Sequence, residues 1–176
     1  QLVDFFVQRL TEPGDLVYDP FLGRGTTVVE AALLDRAATG CDVNPLSRVL
    51  TKPRLAPPTL AQVSERLRAL DWTSCDSYPE DLTVFFHPET LNRICALRAY
   101  LRKLHAEGAM DEVDEWIEMV AVNRLTGHSP GFFSVYTLPP NQAVSINSQR
   151  KINARRRQTP VVRDVVRLII KKSKSL

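Results

Sequence analysis

Three observations predict an α/β protein with a βαβ unit at the front and a mostly helical remainder. The apolar run Leu16-Val17-Tyr18 gives way at once to Gly23-Arg24-Gly25 and an apolar helical stretch. A second short strand-like run, Ala37 to Val43, contains the acid Asp42 near its end. Beyond residue 59 apolar residues recur at helical spacing, where a doubly wound fold would keep alternating strand and helix.

In chain order, residues 2–10 read as a short helix and 16–20 as a buried strand. A helix over 26–35 follows, with Thr27 and Glu30 at capping-box spacing ahead of Ala31, Ala32, Leu33 and Leu34. Residues 37–42 form the second strand. Pro53, Pro57 and Pro58 make a rigid connector. Thr59 and Gln62 form another capping box, and Leu60, Val63, Leu67 and Leu70 a helical stripe. Residues 71–87 look irregular. Pro88 suits the first position of a helix that runs through Leu91, Ile94, Leu97, Leu101 and Leu104 until Gly108 stops it. Met110, Val113, Trp116, Ile117 and Val120 mark another, ending near Gly127. Phe132 to Thr137 is the one later strand candidate. Asn141 to Gln158 is polar and basic, and a last helix starts from Pro160 with Val162, Val165, Val166 and Ile169 inward.

A strand that turns sharply into a helix through two glycines brings backbone N–H groups against a ligand, because no Cβ intervenes. Asp42 comes 17 residues after Gly25. In a nucleotide-type βαβ unit, an acid there accepts hydrogen bonds from ribose hydroxyls. An ordinary βαβ turn with a solvated aspartate would show the same residues. Val28 replaces the third glycine of the dinucleotide fingerprint, and no Lys-Ser/Thr pair follows Gly25, which excludes a standard P-loop. Asp19 would repel a pyrophosphate but suit a ligand carrying an ammonium and a sulfonium. That argument points to S-adenosylmethionine.

The run Asp19-Pro20-Phe21-Leu22-Gly23-Arg24-Gly25-Thr26-Thr27 resembles the Asp-Pro-Phe-x-Gly-Ser-Gly-Thr-Thr motif of the DNA amino-methyltransferases, which modify adenine N6 or cytosine N4. Cys41-Asp42-Val43-Asn44-Pro45 resembles the family's next motif. Leu2 to Leu10, with Pro13-Gly14-Asp15, is similar to the helix and turn before its glycine loop. Arg24 departs from the usual serine. The resemblance covers about the first 45 residues. It implies a partial Rossmann-like methyltransferase fold, to which the helical spacing beyond residue 59 and the basic C-terminus add the remaining parts: 1–56 (cofactor unit), 57–128 (helical insertion) and 129–176 (basic C-terminal segment). It also implies that S-adenosyl-L-methionine is held by Asp19, Pro20, Phe21, Gly23, Gly25, Thr26, Thr27, Asp42 and Val43.

At 176 residues and 44% hydrophobic, the chain is long enough for one domain with a core. It has no 18-residue apolar run and no signal-peptide pattern. Cys41, Cys75 and Cys95 have no Cys-x-x-Cys spacing, so buried thiols in a reducing cytoplasm are expected. His87, His105 and His128 form no metal-ligand cluster. The formal charge of +3 conceals a division: residues 1–147 hold 13 Lys+Arg against 19 Asp+Glu (net −6), and residues 148–176 hold 10 against the single acid Asp164 (net +9). Such asymmetry suggests a nucleic-acid-facing segment. Arg150, Lys151, Arg155, Arg156 and Arg157 are its candidate contacts, with duplex DNA as the partner. A loop covering an acidic partner is the competing explanation.

The family's catalytic tetrapeptide is Asp/Asn/Ser-Pro-Pro-Tyr/Phe, and no catalytic residue is assigned here. In Leu138-Pro139-Pro140-Asn141 the first residue cannot accept a hydrogen bond and the fourth is not aromatic. The chain begins at Gln1 and ends on a lysine-rich run, so it is expected to be part of a longer polypeptide. The remainder, or a second chain, would then complete the active site. An RNA or small-molecule methyltransferase, and a non-catalytic nucleic-acid-binding module retaining the fold, are the alternative functions.

Overall fold

The computed structural model describes residues 2–73, 77–138 and 144–176. The chain divides into two compact units, Gln1–Pro57 and Pro58–Leu176. Residues 129–176 fall in the same unit as 58–128.

The first unit starts with helix α1 (Leu2–Leu10), then strand β1 (Leu16–Asp19), helix α2 (Thr26–Leu33) and strand β2 (Ala37–Gly40). The strands pair in parallel, Leu16 against Ala37 and Asp19 against Gly40. A crossover helix between parallel strands is the arrangement a βαβ unit requires. Val28 and Ala31 bury the inner face of α2, and Val7 that of α1. Arg36 ties the start of β2 to the end of α1, donating to Thr11 Oγ1 (3.0 Å) and to the Thr11 carbonyl (2.7 Å). Helix α3 (Leu46–Thr51) and a 3₁₀ turn at Lys52–Arg54 follow, where the prolines had suggested only a connector.

Two expectations fail in this unit. Thr27 and Glu30 form no capping box, because α2 starts at Thr26, with Gly25 as its N-cap and no side chain capping it. The strand β1 is not buried on both faces: Leu16 and Tyr18 are 67% and 58% exposed. A two-stranded sheet with one helix layer covers one face, and residues alternate across it.

The second unit is helical: α4 (Leu60–Ala69), α5 (Pro88–Glu107), α6 (Glu112–Arg124), α7 (Ile146–Arg156) and α8 (Val165–Ser173), with a 3₁₀ turn at Glu80–Val84. The Thr59–Gln62 capping box forms, Pro88 is the first residue of α5, and Gly108 ends it in the left-handed region (φ 64°). Helix α8 packs against α4, α5 and α6 around Leu67, Leu91, Ile117, Val120, Val165 and Ile169. Arg66 on α4 pairs with Asp111 (2.6 Å) and with the buried Asp114, which also accepts from the Tyr100 hydroxyl at 2.8 Å. Partial burial opposes ionisation of Asp111, but the Arg66 hydrogen bonds outweigh it and bring its pKa down to about 2.

The Phe132–Thr137 strand does not form. Those residues make a tight loop, with a single bridge between Gly127 and Tyr136, and Phe132, Phe133 and Val135 fill the core. Helix α8 starts at Val165 rather than Pro160, capped by Asp164, and Val162 is exposed. Helix α7 carries no apolar stripe that could have announced it. It is held by amides: Gln149 and Gln158 donate to the Tyr136 carbonyl (2.9 and 3.0 Å) and to Asn153 Oδ1. Asn153 donates to the Val84 carbonyl at 2.8 Å.

Candidate functional site

Backbone bonding continues past the ends of β1 and β2. Cys41 N–H donates to the Asp19 carbonyl (3.0 Å), and Leu22 N–H to the Cys41 carbonyl (2.9 Å). The glycine loop therefore lies alongside residues 41–44. Gly25 N–H closes the turn on the Leu22 carbonyl at 2.6 Å, with Gly23 and Gly25 at φ 52° and 73°. Both angles lie in the region that side chains resist.

Asp42 holds this loop. One carboxylate oxygen accepts the Gly23 N–H (2.7 Å) and the other the Asn44 N–H (2.8 Å). The Asn44 amide first and the Gly23 amide second hold the carboxyl below its ordinary range, and a Ser47 hydrogen bond adds to this. The carboxylate is thus ionised, and with Gly23, Asn44 and Ser47 filling three of about four acceptor positions it retains room for about one further donor. Asp19 accepts the Phe21 N–H at 3.0 Å. The first amides of α2 have no side-chain cap and no acid in the first turn, so this helix end favours an anion. A cavity of about 540 Å³ opens beside the loop, lined by Leu22, Val28, Gly40, Asp42, Ser47 and Thr51.

The structure brings Gly23 and Asp42 into contact, and sets Asp19 and Phe21 at the β1 end of the same loop. Pro20 and Thr26 are exposed, Thr27 is half-buried, Phe21 is 86% exposed, and Val43 is fully exposed. Thr51 was not anticipated. It is 3% exposed and sits where a Cβ on Gly25 would lie, its Oγ1 only 2.2 Å from that point. Nothing in the local sequence marks it, whereas Asn44, two residues after Asp42, carries the spacing of an Asx turn. The buried-thiol expectation fails at Cys41, which is exposed with its sulfur 3.1 Å from the Tyr18 hydroxyl. Cys75 lies outside the described residues.

In the second unit the basic tract is helical. Arg150, Lys151, Arg155 and Arg156 lie on α7, and Arg157 ends it at φ 50°; all five are exposed. Arg156 stacks over the Tyr136 ring at 3.7 Å, and Arg150 lies 3.6 Å from Asp81. Pro139, Pro140 and Asn141 of the rejected tetrapeptide lie outside the described residues. Among the described residues no three His, Cys, Asp or Glu side chains are grouped to hold a metal ion, and no helix is long and apolar enough to cross a membrane.

Residues 1–48 match the family model described as DNA methylase. The type II methyltransferase M.MjaII of Methanocaldococcus jannaschii is 34% identical over 55 residues, which make up 31% of this chain and 10% of that protein. The type II methyltransferase M.MvaI of Kocuria varians is 30% identical over 71 residues, 40% of this chain and 14% of that protein. The matched stretch is thus a small part of each relative's length. No solved structure matches the chain.

Proposed function

We propose, from the match of residues 1–48 to the DNA methylase family model, that the first unit binds S-adenosyl-L-methionine for methylation of an exocyclic amine of adenine or cytosine in DNA. The observation that carries the reading is the loop held by Asp42: two left-handed glycines, an ionised acid beside them and an uncapped helix end. That donor set suits a zwitterionic nucleoside. The uncapped amides at Thr26 and Thr27 favour its carboxylate, and Asp19 its ammonium. Asp42 keeps acceptor capacity for a ribose hydroxyl, and exposed Phe21 and Val43 offer apolar surface. The sulfonium methyl would be the electrophile.

The catalytic acceptor and the aromatic that stacks on an extruded base are proposed to come from further polypeptide or a second chain. Positioning of the methyl in line with the base amine would then supply most of the rate. We place the fold with Rossmann-like methyltransferases, of which β1, α2 and β2 are one βαβ unit, and the protein in the cytoplasm. Helix α7, with Arg150, Lys151, Arg155 and Arg156, followed by Arg157, is the proposed DNA contact.

Calorimetric titration with S-adenosylmethionine tests the reading. Saturable binding is expected, weakened about tenfold or more in Asp42→Ala, which loses the ribose acceptor and the Gly23 tether together. Asp42→Asn keeps one acceptor oxygen and should fall between the two. Equal affinity in all three proteins would remove Asp42 from the site.

A further inference from the structure

We propose that α8 and the residues before it form a phosphate-binding pocket, built from Arg163, Arg167 and Lys171, which takes a backbone phosphate of duplex DNA. The three cations line one cavity of about 330 Å³, together with Pro130, Val162 and Leu168. Arg167 and Lys171 are spaced i,i+4 on the exposed side of α8, opposite Val165 and Ile169, which are wholly buried. The core therefore fixes which way the two cations face.

Arg163 is positioned separately. Its N–H donates to Thr90 Oγ1 at 2.8 Å, and its carbonyl accepts from the same hydroxyl at 3.4 Å. Thr90 lies in the first turn of α5 and is fully buried, so the backbone of Arg163 is anchored at both polar groups. Within its side chain, Nε is buried and has no hydrogen-bond partner among the described residues. A guanidinium nitrogen withdrawn from water without an acceptor is an unfavourable arrangement.

The one acid in the lining, Asp164, is already engaged. Its carboxylate accepts the Arg167 N–H at 3.0 Å as the N-cap of α8. Three cations against one committed carboxylate leave the cavity electropositive, and low-dielectric walls concentrate such a field. Two arginines can each offer paired donors to a tetrahedral oxyanion, while the lysine acts as a point charge. Phosphate is the chemistry that fits. The identity of the polymer rests on the methyltransferase reading above; the pocket does not.

Two measurements on the 176-residue chain separate these claims. In the first, inorganic phosphate is titrated at constant ionic strength while the amides of Asp164, Arg167 and Lys171 are followed by NMR. Saturable shifts are expected, absent in the triple variant Arg163→Gln, Arg167→Gln, Lys171→Gln. In the second, binding to a short labelled duplex is followed by anisotropy across a salt series. The triple variant should bind about tenfold more weakly at low salt. Its log K against log salt slope should be shallower by about one, at roughly 0.9 per phosphate contact. The charge-keeping variant Arg167→Lys should retain the slope.

Phosphate shifts with unchanged DNA binding in the triple variant would overturn the polymer assignment and leave a site for a small phosphate. Phosphate shifts in a wild-type chain that does not bind duplex would refute the DNA reading and keep the pocket. No saturable shift at those amides, with identical DNA binding by variant and wild type, would overturn the pocket itself.

Discussion

Replacing Gly25 with alanine should damage the first unit far more than the same change at Gly23, and the difference can be worked out from the structure. Both residues have positive φ, 73° and 52°, so each alanine incurs backbone strain of about 1–2 kcal/mol. At Gly23 little else happens, since the new Cβ would come no closer than 3.7 Å to the Phe21 carbonyl oxygen. At Gly25 the new Cβ would lie 2.2 Å from Thr51 Oγ1, 2.4 Å from its Cγ2 and 2.8 Å from its Cβ. Contacts that short force α3 or the loop to move, adding about 1–3 kcal/mol of overpacking. Gly25→Ala should therefore cost roughly 2–5 kcal/mol against about 1–2 for Gly23→Ala. Thr51→Ala removes two of the three offending atoms, so the double variant should recover about 1 kcal/mol or more of the overpacking. Hydrogen exchange at the Val29 amide, which donates to the Gly25 carbonyl at 3.0 Å, reports on this turn. Equal costs at the two glycines, or no coupling between positions 25 and 51, would refute the steric argument.

Other outcomes follow from the second unit. The pKa of Asp111 falls from the ordinary 3.8 to about 2 on folding, so its contribution is complete above pH 4 and is lost as pH drops toward 2. With half of that side chain exposed, the contribution is about 1 kcal/mol or less. Urea midpoints followed by Trp116 fluorescence should show this acid dependence, and Arg66→Met should flatten it. Changing Arg155→Gln, Arg156→Gln and Arg157→Asn together should make the salt slope of DNA binding shallower by about two to three at low ionic strength. An unchanged slope would leave α7 as a solvated surface.

The parts legible in the sequence were those whose signal is local. The Thr59–Gln62 box and the Pro88 to Gly108 helix each encode their geometry within a few residues. The illegible parts depend on contacts far along the chain. Thr51 matters because it fills the space over Gly25, which no spacing rule announces. Phe132 to Thr137 has strand-like composition but, among the described residues, no partner strand to pair with, so its aromatic and aliphatic side chains fill a helical core instead. Helix α7 was missed because amide side chains reaching the Tyr136 and Val84 carbonyls hold it, and periodicity detects only apolar faces. The end of α2 misled differently: Thr27 and Glu30 have capping-box spacing, yet the preceding glycine already occupies the cap position.

The most direct test of the central claim is an amide-resolved NMR titration of the chain with S-adenosylmethionine. The largest saturable shifts are expected at Gly23, Gly25, Thr26, Asp42 and Asn44, the amides on and beside the loop that Asp42 ties together, with α8 unaffected. Saturable binding that leaves those five amides unmoved, or no binding at millimolar ligand, would contradict the assignment of this loop as the cofactor site.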